Sequence, residues 1–129
     1  MKLLFLLSII FIFLLIPIQN SFSELDISTN SRVYSPDHTL QVYGTGLPEE
    51  NLILRLFAPD ESITKFEQIQ TNSDGTFNHQ LLTWPNPSST VPYGSYVVEV
   101  LSTEQNGLSK KIDIKFSSIF RISPFINVN

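Results

Sequence analysis

Few side chains in this 129-residue sequence could carry out chemistry. Ser95 is the first candidate, because it lies between two tyrosines in the stretch VPYGSYVVEV. A serine nucleophile needs a general base and usually sits in a Gly-x-Ser-x-Gly turn. This stretch has neither feature, so we interpret it as a turn that leads into a β-strand.

A zinc site could use the two histidines, His38 and His79, but no thiolate, because the sequence has no cysteine. A zinc site needs three or four ligands, and no cluster of acidic residues accompanies either histidine. The segment NSDGT, residues 72–76, suggests calcium but lacks the Asp-x-Asp-x-Asp-Gly spacing of a calcium loop. Asp74-Gly75 is instead predicted to be a β-hairpin turn. We expect neither a metal nor a cofactor.

Pairs of carboxylates are the remaining catalytic signal. Glu49 and Glu50 form one pair, and Asp60 and Glu61 form the other. A glycosidase needs two carboxylates that face each other across a cleft. Both pairs fall on predicted turns, where exposed acids are common, so we predict no catalytic residue and no enzymatic activity.

The loop TWPNPSSTVPY, residues 83–93, has an aromatic residue near each end, Trp84 and Tyr93. These rings could form a platform for a sugar or a partner protein. Alternatively, Trp84 ends a core strand, which is the interpretation that the strand pattern favours.

Residues 117–129 form a predicted apolar tail that contains Phe120 and Phe125. Such a segment could add a strand to its own sheet or pair with the edge of a neighbouring protein. Basic residues cluster beside it at Lys110, Lys111, Lys115 and Arg121. The cluster would suit an acidic partner, although a solvated strand face is the explanation that we favour.

The first 23 residues have the layout of a secretory signal peptide. Lys2 precedes an apolar run from Leu3 to Ile18, and Ser21 and Ser23 are small residues placed for cleavage before Glu24. The alternative is an uncleaved membrane anchor, but the run is shorter than the roughly 20 residues that a spanning helix needs. We expect an exported protein, secreted or at the cell surface.

The charge and composition of residues 24–129 exclude some partners. This part holds all 12 acidic residues but 7 of the 8 basic ones, so its net charge is −5. Nucleic-acid binding needs a basic stripe, and none is present. Without cysteine, the stability of the exported domain must come from core burial.

The remaining sequence predicts one all-β domain over residues 24–116. Seven short segments alternate apolar and polar residues or are rich in β-branched and aromatic residues. They cover residues 24–29, 39–44, 51–59, 63–71, 75–84, 95–103 and 111–116. Segment 63–71 is the most polar and is predicted to be an edge strand. Seven antiparallel strands in about 100 residues indicate a β-sandwich.

Tyr96 begins the sixth of these strands. It shares a face with Val98 and Val100, so its ring is expected to point inward. Its hydroxyl would then bind nearby backbone, as in the tyrosine corner of sandwich domains.

Four stretches occur in an order that resembles immunoglobulin-like domains of prokaryotic surface proteins, in particular the macroglobulin type. They are VYSPDHTLQVYGTG, LRLFAPDES, TNSDGTFNHQL and VPYGSYVVEV, and together they span roughly residues 33–116. Two turns depart from the family pattern: a glycine is missing after Pro36, and one residue is inserted between Pro92 and Gly94. The resemblance implies an immunoglobulin-like sandwich and carries no shared catalytic set.

We therefore expect an exported, non-enzymatic immunoglobulin-like domain that acts as a structural or protein-binding component at the cell exterior. The expected partner is a protein at the cell surface, with membrane contact only through the signal segment if it is not cleaved. A carbohydrate- or small-ligand-binding module using the Trp84 to Tyr93 loop is the first alternative. A small hydrolase is the second.

Overall fold

The computed structural model describes residues 25–118. The predicted signal peptide and the tail residues Phe120 and Phe125 lie outside the described residues. Within residues 25–118, no helix is long and apolar enough to cross a membrane.

The described chain is all-β, with eight strands and no helix. The strands are β1 (Asp26–Thr29), β2 (Val33–Tyr34), β3 (Thr39–Thr45), β4 (Asn51–Phe57), β5 (Ile63–Gln70), β6 (Thr76–Thr83), β7 (Gly94–Ser102) and β8 (Leu108–Phe116). Seven of them coincide with predicted segments. The additional strand, β2, has two residues and pairs in parallel with the end of β8, so it is too short to show alternation in the sequence.

The strands form two sheets. One sheet has three strands in the order β1-β3-β6, and the other has five in the order β2-β8-β7-β4-β5. Strand β5 is therefore an edge strand, as its polar sequence predicted. The buried residues of both sheets join in one hydrophobic cluster, which agrees with a β-sandwich.

The predicted hairpin at Asp74-Gly75 is wrong. These residues do form a turn, in which the Gly75 N–H donates to Asn72 O at 2.9 Å. The strands on either side, β5 and β6, belong to different sheets and do not pair. The turn therefore carries the chain from one sheet to the other. The residue types in the turn do not determine whether the two flanking strands pair or lie in different sheets.

Alternation along the strands places the predicted core residues inside. Strand β4 buries Leu52, Leu54 and Leu56, and β7 buries Tyr96, Val98 and Val100. The Tyr96 hydroxyl donates to Pro92 O at 2.6 Å, which is the predicted tyrosine-corner bond. Burial raises the pKa of Tyr96, so the hydroxyl stays protonated and able to donate.

Candidate interaction face

Trp84 does not form an exposed platform with Tyr93. Its side chain is 0% exposed, and its ring stacks on Phe116 with centroids 4.5 Å apart. Tyr34 and Tyr96 also pack against it, so Trp84 belongs to the core, the interpretation favoured from the sequence. Tyr93 is 39% exposed, and its ring also packs against Phe116, with centroids 4.8 Å apart. Of the two predicted contact residues that are described, Tyr93 alone offers surface.

The residues considered for catalysis are not brought together. Ser95 is exposed on β7, opposite Lys115 of β8, with no histidine beside it in the register. His38 lies in a turn where its ring contacts the Ser35 hydroxyl at 3.3 Å. His79 lies on β6 and pairs with Glu67 of β5. Among residues 25–118, no group of three or more His, Cys, Asp or Glu side chains could hold a metal ion.

Glu50 departs most from the sequence prediction. Glu49, Asp60 and Glu61 are exposed on turns as expected, but Glu50 is 0% exposed. Its carboxylate accepts hydrogen bonds from the Leu47 N–H at 2.8 Å and from the Ser102 hydroxyl. A buried carboxylate needs such donors, because its desolvation is otherwise uncompensated.

Further hydrogen bonds connect Glu50 with residues of two other loops. The Gln105 side-chain amide donates to its carboxylate at 3.0 and 3.2 Å, from the turn between β7 and β8. The Glu50 N–H donates to the Thr71 hydroxyl at 2.7 Å, and that hydroxyl donates to Leu47 O at 2.6 Å. These hydrogen bonds connect the β3–β4, β5–β6 and β7–β8 loops at one end of the two sheets.

A second polar contact spans the two sheets. Glu67 of edge strand β5 binds His79 of β6, and Lys65 lies 3.5 Å from the other Glu67 oxygen. The hydrogen bond from His79 is the main reason that the pKa of Glu67 is lowered, and the nearby Lys65 charge adds to it. The contact joins edge strands of the two layers and contains no nucleophile.

The outer face of the five-stranded sheet is the main candidate for an interaction surface. Here "outer face" means the side of β5, β4, β7 and β8 that points away from the core. Apolar side chains occupy three adjacent strands there: Ile63 and Phe66 on β5, Ile53 and Phe57 on β4, and Val97 and Leu101 on β7. Phe66 is 57% exposed and Ile63 is 50% exposed, the highest values among the exposed large apolar side chains described. Large apolar side chains grouped on one surface mark interaction sites in soluble proteins.

An ion pair lies in the middle of this outer face. Arg55 of β4 and Glu99 of β7 are register partners, and the Arg55 Nε–H donates to Glu99 Oε1 at 2.6 Å. The Arg55 guanidinium also lies 5.2 Å from the centre of the Phe57 ring, within reach of a cation–π interaction. Glu99 is 5% exposed and its charge is neutralised by Arg55, so it adds little repulsion toward an approaching surface.

One flank of the outer face is concave. A groove of about 560 Å³ has Phe57 and Val97 in its lining, together with Pro59 and Glu61 of the β4–β5 turn. Lys111 and Asp113 of β8 also line it. The groove is lined by both apolar and charged side chains. Sites for small molecules are mostly apolar and enclose most of the ligand, so this groove is better suited to a side chain of a protein partner.

Sequence reasoning missed this face, although a signal was present. The stretch NLILRLF in β4 is apolar on both sides of the strand, with Ile53 and Phe57 opposite the buried leucines. A strand that is solvated on one side normally alternates apolar with polar residues. Apolar residues on both sides of β4 indicate that both sides are covered. The pattern does not identify which neighbouring strands continue the apolar surface.

Comparisons with known proteins yield little. No family model matches the chain, and no curated protein matches it. Among solved structures, the chain is similar to the crystal structure of XAC1771, a carbohydrate acetylesterase from Xanthomonas citri. The identity is 14% and the TM-score 0.41, and the match covers 64% of this chain and 15% of that chain. This likeness supports no inference about activity.

Proposed function

We propose that this protein is an exported, non-enzymatic, immunoglobulin-like β-sandwich that binds a protein at the cell exterior through the outer face of its five-stranded sheet. The fold part of the proposal is supported by the three- and five-stranded sheets around one core. The Tyr96 corner and the order of turn motifs add support. Export is supported by the signal-like residues 1–23.

The observation that carries the proposal is the contrast between the two outer faces. On the three-stranded sheet, the register rows are polar apart from the ring of Tyr43, for example Ser28–Tyr43–Asn78 and Asp26–Thr45–Thr76. On the five-stranded sheet, the matching positions of β5, β4 and β7 hold Ile63–Phe57–Val97. The fold needs one covered face per sheet, so the additional apolar surface is not required by the core. Protein contact is the use that compensates for its exposure to water.

The position of the apolar side chains supports a protein partner over a small ligand. They extend across three adjacent strands, with the neutralised Arg55–Glu99 pair between them. Aromatic side chains and Arg are enriched in protein interfaces and the rim is polar; here Phe57, Phe66 and Arg55 lie inside the face, and Lys111 and Lys115 lie on β8 at its rim. The Trp84 to Tyr93 platform that a sugar-binding site would have used lacks Trp84, which is buried.

Site-specific photo-cross-linking in the producing cell tests the proposal. A photoreactive phenylalanine analogue replaces Phe66 on the outer face of the five-stranded sheet in one strain. In the control strain it replaces Tyr43, which is 41% exposed on the opposite sheet. We expect an adduct of defined mass from position 66, accessible to protease added outside the cell, and none from position 43. Absence of an adduct from position 66, or equal adducts from both positions, would refute the proposal.

A further inference from the structure

We propose that the apolar tail, from residue 119 onward, folds back within the same molecule and packs on the outer face of the five-stranded sheet. The tail then competes with the protein partner for this face, and this competition rests on the proposed function. The tail beyond residue 118 lies outside the described residues. Its sequence, its point of attachment and the surface within its reach carry the proposal.

The described chain leaves the sheet beside the groove. Strand β8 ends at Phe116, which is the register partner of Gly94 at the start of β7. The Ser117 N–H donates to Tyr34 O at 2.8 Å, so the chain is held to β2 up to this residue. Val97, in the groove lining, lies three residues along β7 from Gly94, or about 10 Å. The tail therefore starts at the end of the sheet that holds the groove.

The tail is long enough to cross the outer face. The eleven residues beyond position 118 span about 36 Å when extended, at about 3.3 Å per residue. Crossing from β8 over β7 and β4 to β5 requires about 15 Å, because neighbouring strands lie about 4.8 Å apart. The first two of these residues extend about 7 Å, and the phenylalanine ring at position 120 adds the reach needed to enter the groove.

The tail sequence is apolar on one side when the chain is extended. Every second residue from 120 to 128 is apolar: Phe120, Ile122, Pro124, Ile126 and Val128. An extended chain directs alternate side chains to the same side. Pro124 lacks an N–H, which disfavours pairing within a sheet but does not prevent packing against side chains. The pattern suits a segment that lies on an apolar surface with its other side in water.

The groove and the apolar rows offer a matching surface. Phe57 and Val97 are register partners, and both line the groove. Phe120 is the first large side chain on the apolar side of the tail, and in this arrangement it packs between them. Ile63 and Phe66 on β5 are 50% and 57% exposed, and they lie within reach of the later tail residues. Burial of these side chains compensates for the ordering of the tail.

The charges of the groove also match the tail. Glu61 and Asp113 line the groove with Lys111, so the lining has one negative charge in excess. Neither Glu61 nor Asp113 forms a salt bridge within the described part of the chain. Arg121 is the only charged side chain in the tail, and it directly follows Phe120. A phenylalanine ring in the groove therefore places the guanidinium beside these carboxylates, which favours this orientation.

A weak contact is sufficient because the tail is tethered. A short flexible connection gives the tail an effective concentration at the face in the millimolar range. A segment that would bind the face with about millimolar affinity as a separate peptide is therefore bound about half of the time or more in its own chain. The face remains open in the other molecules, so a partner of higher affinity can displace the tail.

Thiol labelling tests the packing of the tail. Because the sequence has no cysteine, a single introduced thiol reports on one place, and Ser95→Cys puts it at an exposed position in the groove lining. In protein expressed from the full-length sequence, iodoacetamide should label this thiol at least about three times faster when Phe120→Ser is also present, because the rate follows the fraction of molecules with an open groove. The matched control, Phe125→Ser, alters the other side of the tail and should change the rate less than about 1.5-fold.

Two controls show where the protection acts. A thiol at Ser28→Cys, exposed on the three-stranded sheet, should be labelled at the same rate with and without Phe120→Ser. The rates should also be equal at about 1 and 100 μM protein, since tail and face belong to one molecule. The fluorescence of the buried Trp84 verifies that each variant is folded. The inference is overturned if Phe120→Ser does not accelerate labelling in the groove, if Phe125→Ser accelerates it equally, or if protection increases with protein concentration.

Photo-cross-linking from position 66 separates this inference from the proposed function. Phe120→Ser should increase the yield of the adduct at least about twofold, because the partner no longer competes with the tail. An adduct without protection of the groove thiol would overturn the inference and leave the proposed function supported. Protection without any adduct would support packing of the tail and refute both the protein partner and the competition. An unchanged adduct yield would overturn the competition, and the absence of both signals would refute both proposals.

Discussion

Replacing Glu50 should reveal how strongly the structure depends on one buried carboxylate. Glu50→Ala removes the acceptor for the Leu47 N–H, the Ser102 hydroxyl and the Gln105 amide. Each buried donor left unsatisfied costs about 1–3 kcal/mol. The Ser102 hydroxyl can rotate, and the half-buried Gln105 can turn toward water, so the full cost applies mainly to Leu47. Loss of the charge also relieves the desolvation of Glu50 itself.

These opposing contributions give a net expectation of roughly 1–3 kcal/mol of destabilisation for Glu50→Ala. Glu50→Gln has the same shape and keeps one acceptor oxygen, which can still bind Leu47 and Gln105. Its new amide donor faces the Ser102 oxygen, which can accept. We therefore expect the glutamine variant to lose about 1 kcal/mol.

Equilibrium urea unfolding measures the loss of stability in both Glu50 variants. The chain contains one tryptophan, and its burial beside Phe116 makes its fluorescence a report on the core. The matched control is Glu49→Ala, because Glu49 is the exposed neighbour on the same turn. Surface substitutions of this kind change stability by about 0.5 kcal/mol or less. The slope of free energy against urea should stay constant, which shows that the same transition is measured.

The reasoning would be refuted if Glu50→Ala cost less than about 1 kcal/mol, or no more than Glu49→Ala. Either result would mean that the carboxylate is hydrated and that the three loops do not depend on it. A glutamine variant as unstable as the alanine variant would refute a narrower point. It would show that the charge matters, and not the shape and the remaining acceptor.

Two further predictions concern other parts of the fold. The hydrogen bond with His79 is the main reason that the pKa of Glu67 is lowered, and it stabilises the fold above the ordinary glutamate pKa of 4.5. That contribution is lost as pH falls through the lowered pKa. His79→Gln should therefore make the free energy of unfolding fall less steeply with decreasing pH in the acid range. An unchanged slope in that range would contradict the prediction. Gly75 has a φ of 87°, and a Cβ there would lie 2.5 Å from Gly46 O. Gly75→Ala should therefore destabilise the protein by more than about 1 kcal/mol in thermal or urea unfolding, whereas a loss below 0.5 kcal/mol would show that the turn adapts.

Local alternation in the sequence was sufficient to predict most of the core. In β4 and β7, every second residue is apolar, and a strand turns successive side chains to opposite sides. Leu52, Leu54 and Leu56 are therefore buried together, and Tyr96 points inward with Val98 and Val100. The edge position of β5 followed from the charges that it carries. These features depend on neighbours within one strand, so they can be read from a short stretch.

Features that depend on distant segments could not be predicted in this way. An Asp-Gly turn bends the chain whether it closes a hairpin or crosses to another sheet, so the pairing of β5 and β6 was predicted wrongly. Glu50 looked exposed because its donors Ser102 and Gln105 are more than 50 residues away. The outer face likewise joins side chains of β5, β4 and β7. Alternation encodes which side of a strand is apolar, whereas the partners that cover that side are set by the packing of the whole chain.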